Sequence, residues 1–216
     1  MLALLNKDFP EYYNLNRRVI VDYQSYNSGF SLTDWKSCID CQAKSYYFYR
    51  QCHEKVVLNV AVSQRVDVIN IENYFQQYND KVEIASGGRC DFLLYSTNKV
   101  AFIDLTCSRP TFLEDHLVAN RVRPGKRPIA FKQLKDSITK LSVCPTIDSF
   151  FQNCVEKVAI LALRKKEFVF EVDPSPELHM QTFMRMSNEQ AKSGIIQDMG
   201  NGFSFIVNEY PNVYVW

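Results

Sequence analysis

The stretch that decides the fold runs from Gly87 to Cys107 and reads GGRCDFLLYSTNKVAFIDLTC. Two apolar runs, at 90–95 and 100–107, flank a short polar segment, Ser-Thr-Asn-Lys, and a glycine pair precedes the first run. Runs rich in aromatic, β-branched and leucine side chains with turn residues at their ends are typical of β-hairpins. This stretch therefore predicts two antiparallel strands.

Two aspartates interrupt the apolar hairpin. Asp104 follows Val-Ala-Phe-Ile at 100–103, a segment that reads as buried, and a buried carboxylate costs several kcal/mol unless it is paired or binds a metal. If the chain turns at Thr97-Asn98, Asp91 lies directly opposite Asp104, with Cβ atoms about 4.5–5.5 Å apart. A divalent cation removes the repulsion between them, and two close carboxylates suit Mg²⁺ or Mn²⁺. The alternative is structural, with Asp91 bonded to loop N–H groups and Asp104 facing an arginine or solvent.

The rest of the chain predicts an α/β fold, in which helices flank a central mixed four-stranded sheet. We expect an α/β core at 68–165 between a helical N-terminal extension, 1–67, and a C-terminal strand, helix and hairpin extension, 166–216, all in one compact domain. The core elements that the apolar periodicity predicts are a helix at 70–78, strands at 81–86, 90–96, 99–107 and 156–163, and a helix at 129–142 opened by Pro128. Residues 110–127 read as a long loop. In the extensions, we expect a helix at 35–53, an outer strand at 166–172, a helix at 177–186 and a hairpin that turns at Gly200-Asn201-Gly202.

The motif Gly-Gly-Arg-Cys-Asp91, followed after the turn by Asp104-Leu-Thr106, resembles the PD-(D/E)XK nuclease-like superfamily, which has a restriction-endonuclease-like αβββαβ core. The resemblance implies that Asp91 and Asp104 are metal ligands and catalytic residues, and that Gln133 in the following helix lines the site. Thr106, on the same face as Asp104, stands where the family has a lysine that positions water and stabilises phosphate charge. The resemblance leaves open whether Lys99, Lys132 or Lys135 replaces that lysine, and whether Glu72 or Glu83 adds a carboxylate.

A basic stretch follows the hairpin. Seven basic residues between Asn120 and Lys140 stand against one acidic residue, Asp136. Such stretches bind phosphate-rich partners by neutralising charge and releasing counterions, although a solvated helix face is the other interpretation. The candidate nucleic-acid contacts are Arg109, Arg121, Arg123, Lys126, Arg127, Lys132 and Lys135. His116 is a candidate general base or phosphate contact, or a plain surface histidine.

Composition excludes several classes of protein. The chain has 216 residues, 23% of them charged and 13% aromatic, which is not a disordered composition. No apolar run reaches the length of a membrane span, and the first residues do not resemble a signal peptide. Seven cysteines, an odd number, favour a reducing cytoplasm over a disulfide framework. Four potential zinc ligands, Cys38, Cys41, Cys52 and His53, fall on a predicted helix that separates them, which favours buried thiols.

The resemblance, together with the two aspartates and the basic stretch, implies a Mg²⁺- or Mn²⁺-dependent endonuclease that hydrolyses phosphodiester bonds in DNA, with no organic cofactor. The alternative is a catalytically inactive nuclease-like fold that binds nucleic acid or a protein partner. A third hypothesis is a subunit of a larger assembly. Thr106 favours the alternative, and the two aspartates favour the enzyme.

Overall fold

The structure is a computed structural model that describes residues 1–33, 56–108, 112–118, 121–165 and 197–216, with only the backbone of Leu117 and Val118. Its strands are, in chain order, β1 Tyr23–Tyr26, β2 Phe30–Thr33, β3 Val56–Ala61, β4 Val66–Asn70, β5 Phe92–Tyr95, β6 Lys99–Ser108, β7 His116–Val118, β8 Arg121–Arg123, β9 Glu156–Lys165, β10 Gln197–Gly200, β11 Phe203–Glu209 and β12 Val213–Val215. Its α-helices are α1 Phe9–Tyr12, preceded by a π-helical segment at Leu4–Asp8, α2 Ile71–Gln76, α3 Val82–Ala85, α4 Lys126–Ser142 and α5 Pro145–Asn153.

The main sheet has seven strands in the order β1-β4-β5-β6-β9-β11-β10. The pairs β4–β5 and β5–β6 are antiparallel, whereas β9 is parallel to both β6 and β11. A parallel neighbour requires a long crossover, which α4 and α5 supply between β6 and β9. The predicted α/β class, with a mixed sheet flanked by helices, is confirmed, although the sheet has seven strands instead of four.

The two faces of the main sheet support separate apolar clusters. One cluster joins Leu93 and Phe102 to Leu134 and Ile138 of α4. On the opposite face, Phe92 and Ile103 pack with residues of β3 and with Trp216, beneath a small sheet of order β12-β3-β2. Because β5 and β6 are covered on both sides, their sequences are almost continuously apolar, and a carboxylate among them is unusual.

Several predicted elements are confirmed. Helix 129–142 is α4, which begins three residues earlier, and strand 156–163 is β9. Helix 70–78 is the shorter α2. The last hairpin turns at Gly200-Asn201-Gly202, where all three residues have positive φ.

The predicted strand at 81–86 is wrong. Val82–Ala85 forms the short helix α3, which buries Ile84 and leaves Val82 76% exposed. The strand that pairs with β5 on the side away from β6 is instead β4, whose Val66, Val68 and Ile69 are fully buried. Burial of these side chains in the sheet outweighs the weak local strand preference of the later segment.

The segment read as a long loop, 110–127, contains the hairpin of β7 and β8. The described part of the N-terminal extension forms strands as well as short helices. The predicted helices at 35–53 and 177–186 and the outer strand at 166–172 lie outside the described residues. Within the part of the chain that the structure describes, none of the helices is long and apolar enough to cross a membrane.

Candidate functional site

The hairpin of β5 and β6 has the predicted register. The paired residues are Tyr95 with Val100, Leu94 with Ala101, Leu93 with Phe102, and Phe92 with Ile103. The Ser96 N–H donates to the Lys99 carbonyl at 2.9 Å and closes the turn. One further step of the same register brings Asp91 to the level of Asp104.

Asp91 departs from ideal pairing at this last step. Its N–H donates to the Ile103 carbonyl at 3.0 Å, while its own side-chain Oδ2 accepts the Leu105 N–H at 2.7 Å. Leu105 N is two covalent bonds from the Cα of Asp104, so Asp91 Oδ2 lies within about 5 Å of that Cα. The carboxylate of Asp91, just before β5, therefore contacts the backbone of β6 next to Asp104.

Asp104 is buried, with 6% of its surface exposed. It is two residues beyond Phe102, whose side chain lies in the cluster beneath α4, and residues two apart on a strand share a face. Thr106, 8% exposed, occupies the next position on that face. The two residues pair with Leu161 and Leu163 of β9, so the polar positions lie inside the sheet and not at its edge.

The buried thiol of Cys90 is influenced by the charges of both aspartates. Its side chain is fully buried, and burial raises the pKa of the thiol well above its ordinary value. The negative charges of Asp104 and Asp91 raise this pKa further, while a hydrogen bond with Ser137 lowers it. Both carboxylates therefore act electrostatically on one sulfur atom.

We expect the Cys90 thiol to react with iodoacetamide at least about 10-fold more slowly than that of the half-exposed Cys107 in the native protein, because the thiolate is the reactive form. Peptide-level mass spectrometry of a timed alkylation measures both rates. Alkylation in urea is the control, since both thiols should then react alike. Equal native rates would contradict the buried position of Cys90.

Helix α4 holds the loop that leads into Asp91. Four hydrogen bonds join them. Asp136 Oδ2 accepts the Gly88 N–H at 2.6 Å, and Lys140 Nζ donates to the Gly88 carbonyl at 2.7 Å. Gln133 Nε2 donates to the Arg89 carbonyl at 3.2 Å, and Ser137 Oγ accepts the Cys90 N–H at 2.9 Å. We call this set the loop clasp. Gln133 thus contacts the backbone two residues before Asp91, and its predicted role in lining the site stays a prediction.

Sequence reasoning missed three residues of the loop clasp, namely Asp136, Ser137 and Lys140. Lys140 belongs to the basic stretch that follows the hairpin, but it is 6% exposed, and burial lowers the pKa of its ammonium group. A signal was present, because polar residues at helical spacing interrupt the apolar face of α4.

The donor atoms suit a hard divalent cation. Asp91 Oδ2 lies within about 5 Å of the Asp104 Cα, and Mg²⁺ is usually held by one or two carboxylates while water and substrate phosphates complete its shell. In the described ranges, no group of three or more His, Cys, Asp or Glu side chains is arranged to hold a metal. Of the two additional carboxylate candidates, Glu72 has a backbone contact with Asp91: the Glu72 N–H donates to the Asp91 carbonyl at 3.4 Å. Glu83 is exposed on α3.

The lysine candidates lie elsewhere. Lys99 begins β6, about 16 Å from Asp104 at 3.3 Å per residue. Its Nζ pairs with Glu156 Oε1 at 2.8 Å and lies 5.0 Å from the centroid of the Trp216 ring. Lys132 and Lys135 are on the exposed side of α4.

The predicted nucleic-acid contacts separate into two groups. Those with exposed side chains are Arg121, Arg123, Lys126, Lys132 and Lys135. Arg127 is instead largely buried and pairs with Glu114, Nε to Oε1, at 3.0 Å. His116 Nδ1 lies 3.2 Å from the Glu114 carbonyl. Arg109 and the four potential zinc ligands lie outside the described residues.

Comparison of the chain with protein-family models, with curated proteins and with solved structures found no match.

Proposed function

We propose that this chain hydrolyses phosphodiester bonds in DNA with Mg²⁺ or Mn²⁺ held by Asp91 and Asp104. The observation that carries the proposal is the hydrogen bond from the Leu105 N–H to Asp91 Oδ2, at 2.7 Å, which brings one carboxylate to the backbone of the other. A bound cation would offset the cost of two neighbouring negative charges at a nearly buried position.

The topology gives a second line of support. Strands β4, β5, β6 and β9 are neighbours in that order, with two antiparallel pairs, one parallel pair and α4 in the crossover. This order is similar to that expected of the PD-(D/E)XK core, which the hairpin motif resembles. A departure is that α2 and α3 lie between the first two of these strands.

The residues have separable roles in the proposed reaction. Asp91 and Asp104 would hold the cation, which would polarise the scissile phosphate and lower the pKa of a water molecule. The Leu105 N–H orients the Asp91 carboxylate, and the loop clasp holds the chain just before it. Exposed basic residues of β8 and α4 attract the phosphate backbone.

The test is cleavage of supercoiled plasmid DNA by the purified protein. We expect nicking in Mg²⁺ or Mn²⁺ and none in EDTA, together with saturable Mn²⁺ binding in calorimetry. Absence of Mn²⁺ binding would overturn the proposal, because the two aspartates would then have only a structural role.

The second candidate function is a nuclease-like protein that binds nucleic acid without cutting it. The observation that favours it is Thr106, which has no ammonium group to stabilise phosphate charge, while Lys99, Lys132 and Lys135 lie elsewhere. This candidate predicts Mn²⁺ binding without cleavage by the natural chain.

If the natural chain binds Mn²⁺ but does not cut, we expect Thr106→Lys to produce metal-dependent cleavage at least about 10-fold above background, because a lysine at this position can stabilise charge on the phosphate. Thr106→Met is the matched control, since it adds a comparable unbranched side chain without charge. Cleavage by both variants or by neither would count against a missing lysine as the cause. Thermal unfolding confirms that each variant is folded.

A further inference from the structure

The hairpin of β7 and β8 is a two-stranded sheet of its own, separate from the main sheet. His116 pairs with Arg123, and the backbone of residue 118 pairs with Arg121. All three side chains of β8 are exposed, including Val122 at 67%. The exposed residues lie on both faces of the strand, so β8 does not cover a core. We call this hairpin the basic ribbon.

The base of the basic ribbon is firmly attached, which an isolated two-stranded hairpin needs because it is marginally stable in water. The Arg127 N–H donates to the Leu113 carbonyl, and the Gly125 N–H donates to Asp115 Oδ1, both at 2.9 Å. A Cβ on Gly125 would lie 2.2 Å from the carbonyl carbon of Glu114, so the two ends of the ribbon approach as closely as backbone allows. The Arg127–Glu114 ion pair lies at the same junction.

The basic ribbon is also attached to both elements of the candidate site. It follows β6, which carries Asp104 and Thr106 near its C-terminal end, and it leads directly into α4, which holds the loop before Asp91. Three residues lie between Ser108, the end of β6, and Phe112, so the two are at most about 14 Å apart. The base of the ribbon at Phe112 therefore lies close to the end of the strand that carries Asp104.

We propose that the basic ribbon engages the groove of double-stranded DNA and that the substrate of this site is a duplex. Arg121 and Arg123 are two residues apart on one strand, so their side chains leave the same face, about 7 Å apart. A two-stranded β-ribbon fits the major groove, which is about 12 Å wide. Single strands are instead held by aromatic stacking platforms, and β8 presents two arginines and a valine. This inference rests on the proposed function, since it names the substrate of the same site.

The test compares two pairs of exposed basic residues in fluorescence anisotropy titrations, in EDTA so that no DNA is cut. We expect Arg121→Ala with Arg123→Ala to weaken duplex binding at least about 10-fold and to reduce the salt slope by about 1.8, as for two lost phosphate contacts. The matched control, Lys132→Ala with Lys135→Ala on α4, removes the same charge and should weaken binding less. Arg121→Lys with Arg123→Lys should keep most of the salt slope.

The outcomes separate this inference from the proposed function. Equal losses in the two alanine pairs, or preferential binding of the natural chain to a single strand, would overturn the role of the ribbon while leaving metal binding at Asp91 and Asp104 intact. Failure of the natural chain to bind any duplex overturns it as well. Conversely, if the protein binds duplex DNA through the ribbon but does not bind Mn²⁺, the role of the ribbon stands and the proposed nuclease function is overturned. Thermal unfolding of the alanine pairs should match that of the natural chain, since both arginines are exposed.

Discussion

Replacing Asp104 with asparagine is expected to abolish Mn²⁺ binding and to reduce metal-dependent DNA cleavage by more than about 100-fold. An amide is a far poorer ligand for a hard cation than a carboxylate, and Asn occupies nearly the same volume at a position that is 6% exposed. Calorimetry with Mn²⁺ and plasmid nicking measure the two effects. Retention of both metal binding and cleavage in Asp104→Asn would contradict the proposed site.

Asp91 allows the metal role to be separated from a structural one. Asp91→Asn keeps a side-chain oxygen that can accept the Leu105 N–H, so we expect loss of Mn²⁺ binding with stability close to that of the natural chain. Asp91→Ala also removes the acceptor, which should lower the free energy of unfolding by about 1–2 kcal/mol more. Urea denaturation gives this difference. If Asp91→Asn binds Mn²⁺ normally while Asp91→Ala is destabilised, Asp91 has a structural role only.

Replacing Gly88 with alanine is expected to lower the free energy of unfolding by about 3 kcal/mol. A Cβ at this position would lie 2.6 Å from Gln133 Cα and 2.7 Å from Gln133 Cγ, closer than real Cβ contacts. The loop would have to move away from α4, which would break the loop clasp and displace Asp91. Since the obstructing atoms include backbone of a helix, a side-chain rotation cannot relieve the contact.

Urea denaturation measures the effect of Gly88→Ala, and Ser86→Ala, at an exposed position of the same loop, is the control. We expect the control to unfold within about 0.5 kcal/mol of the natural chain, as is usual for surface substitutions. Gly88→Ala should also lose Mn²⁺ affinity in proportion to the displacement of Asp91. A Gly88→Ala protein as stable as its control would mean that the loop does not pack against α4.

The hairpin could be predicted in detail because its determinants are local. A short turn between two apolar runs sets which residues face each other, and the observed pairs from Tyr95 with Val100 to Phe92 with Ile103 have that register. Helix α4 and strand β9 were also predictable, since the periodicity of apolar residues reports the face that each element buries. The burial of Asp104 followed from its apolar neighbours alone.

Other features depend on contacts between distant parts of the chain. The choice of Val66–Asn70 as the partner of β5 depends on which segment buries more apolar surface there, and no local pattern records that competition. The basic ribbon likewise forms because its ends are held together at Gly125 and Glu114, ten or so residues apart.

By itself, therefore, the sequence determined the mixed α/β class, the register of the central hairpin and the approach of two aspartates, because turn length and apolar period act within a few residues. The tertiary structure decided how Asp91 is held. Its loop is bonded to residues of α4 that lie 44 to 52 positions away, and its Oδ2 is bonded to Leu105, 14 positions away. Hydrogen bonds between such distant segments form only after burial has brought a sheet and a helix together, and the spacing of residues along the chain does not contain that information.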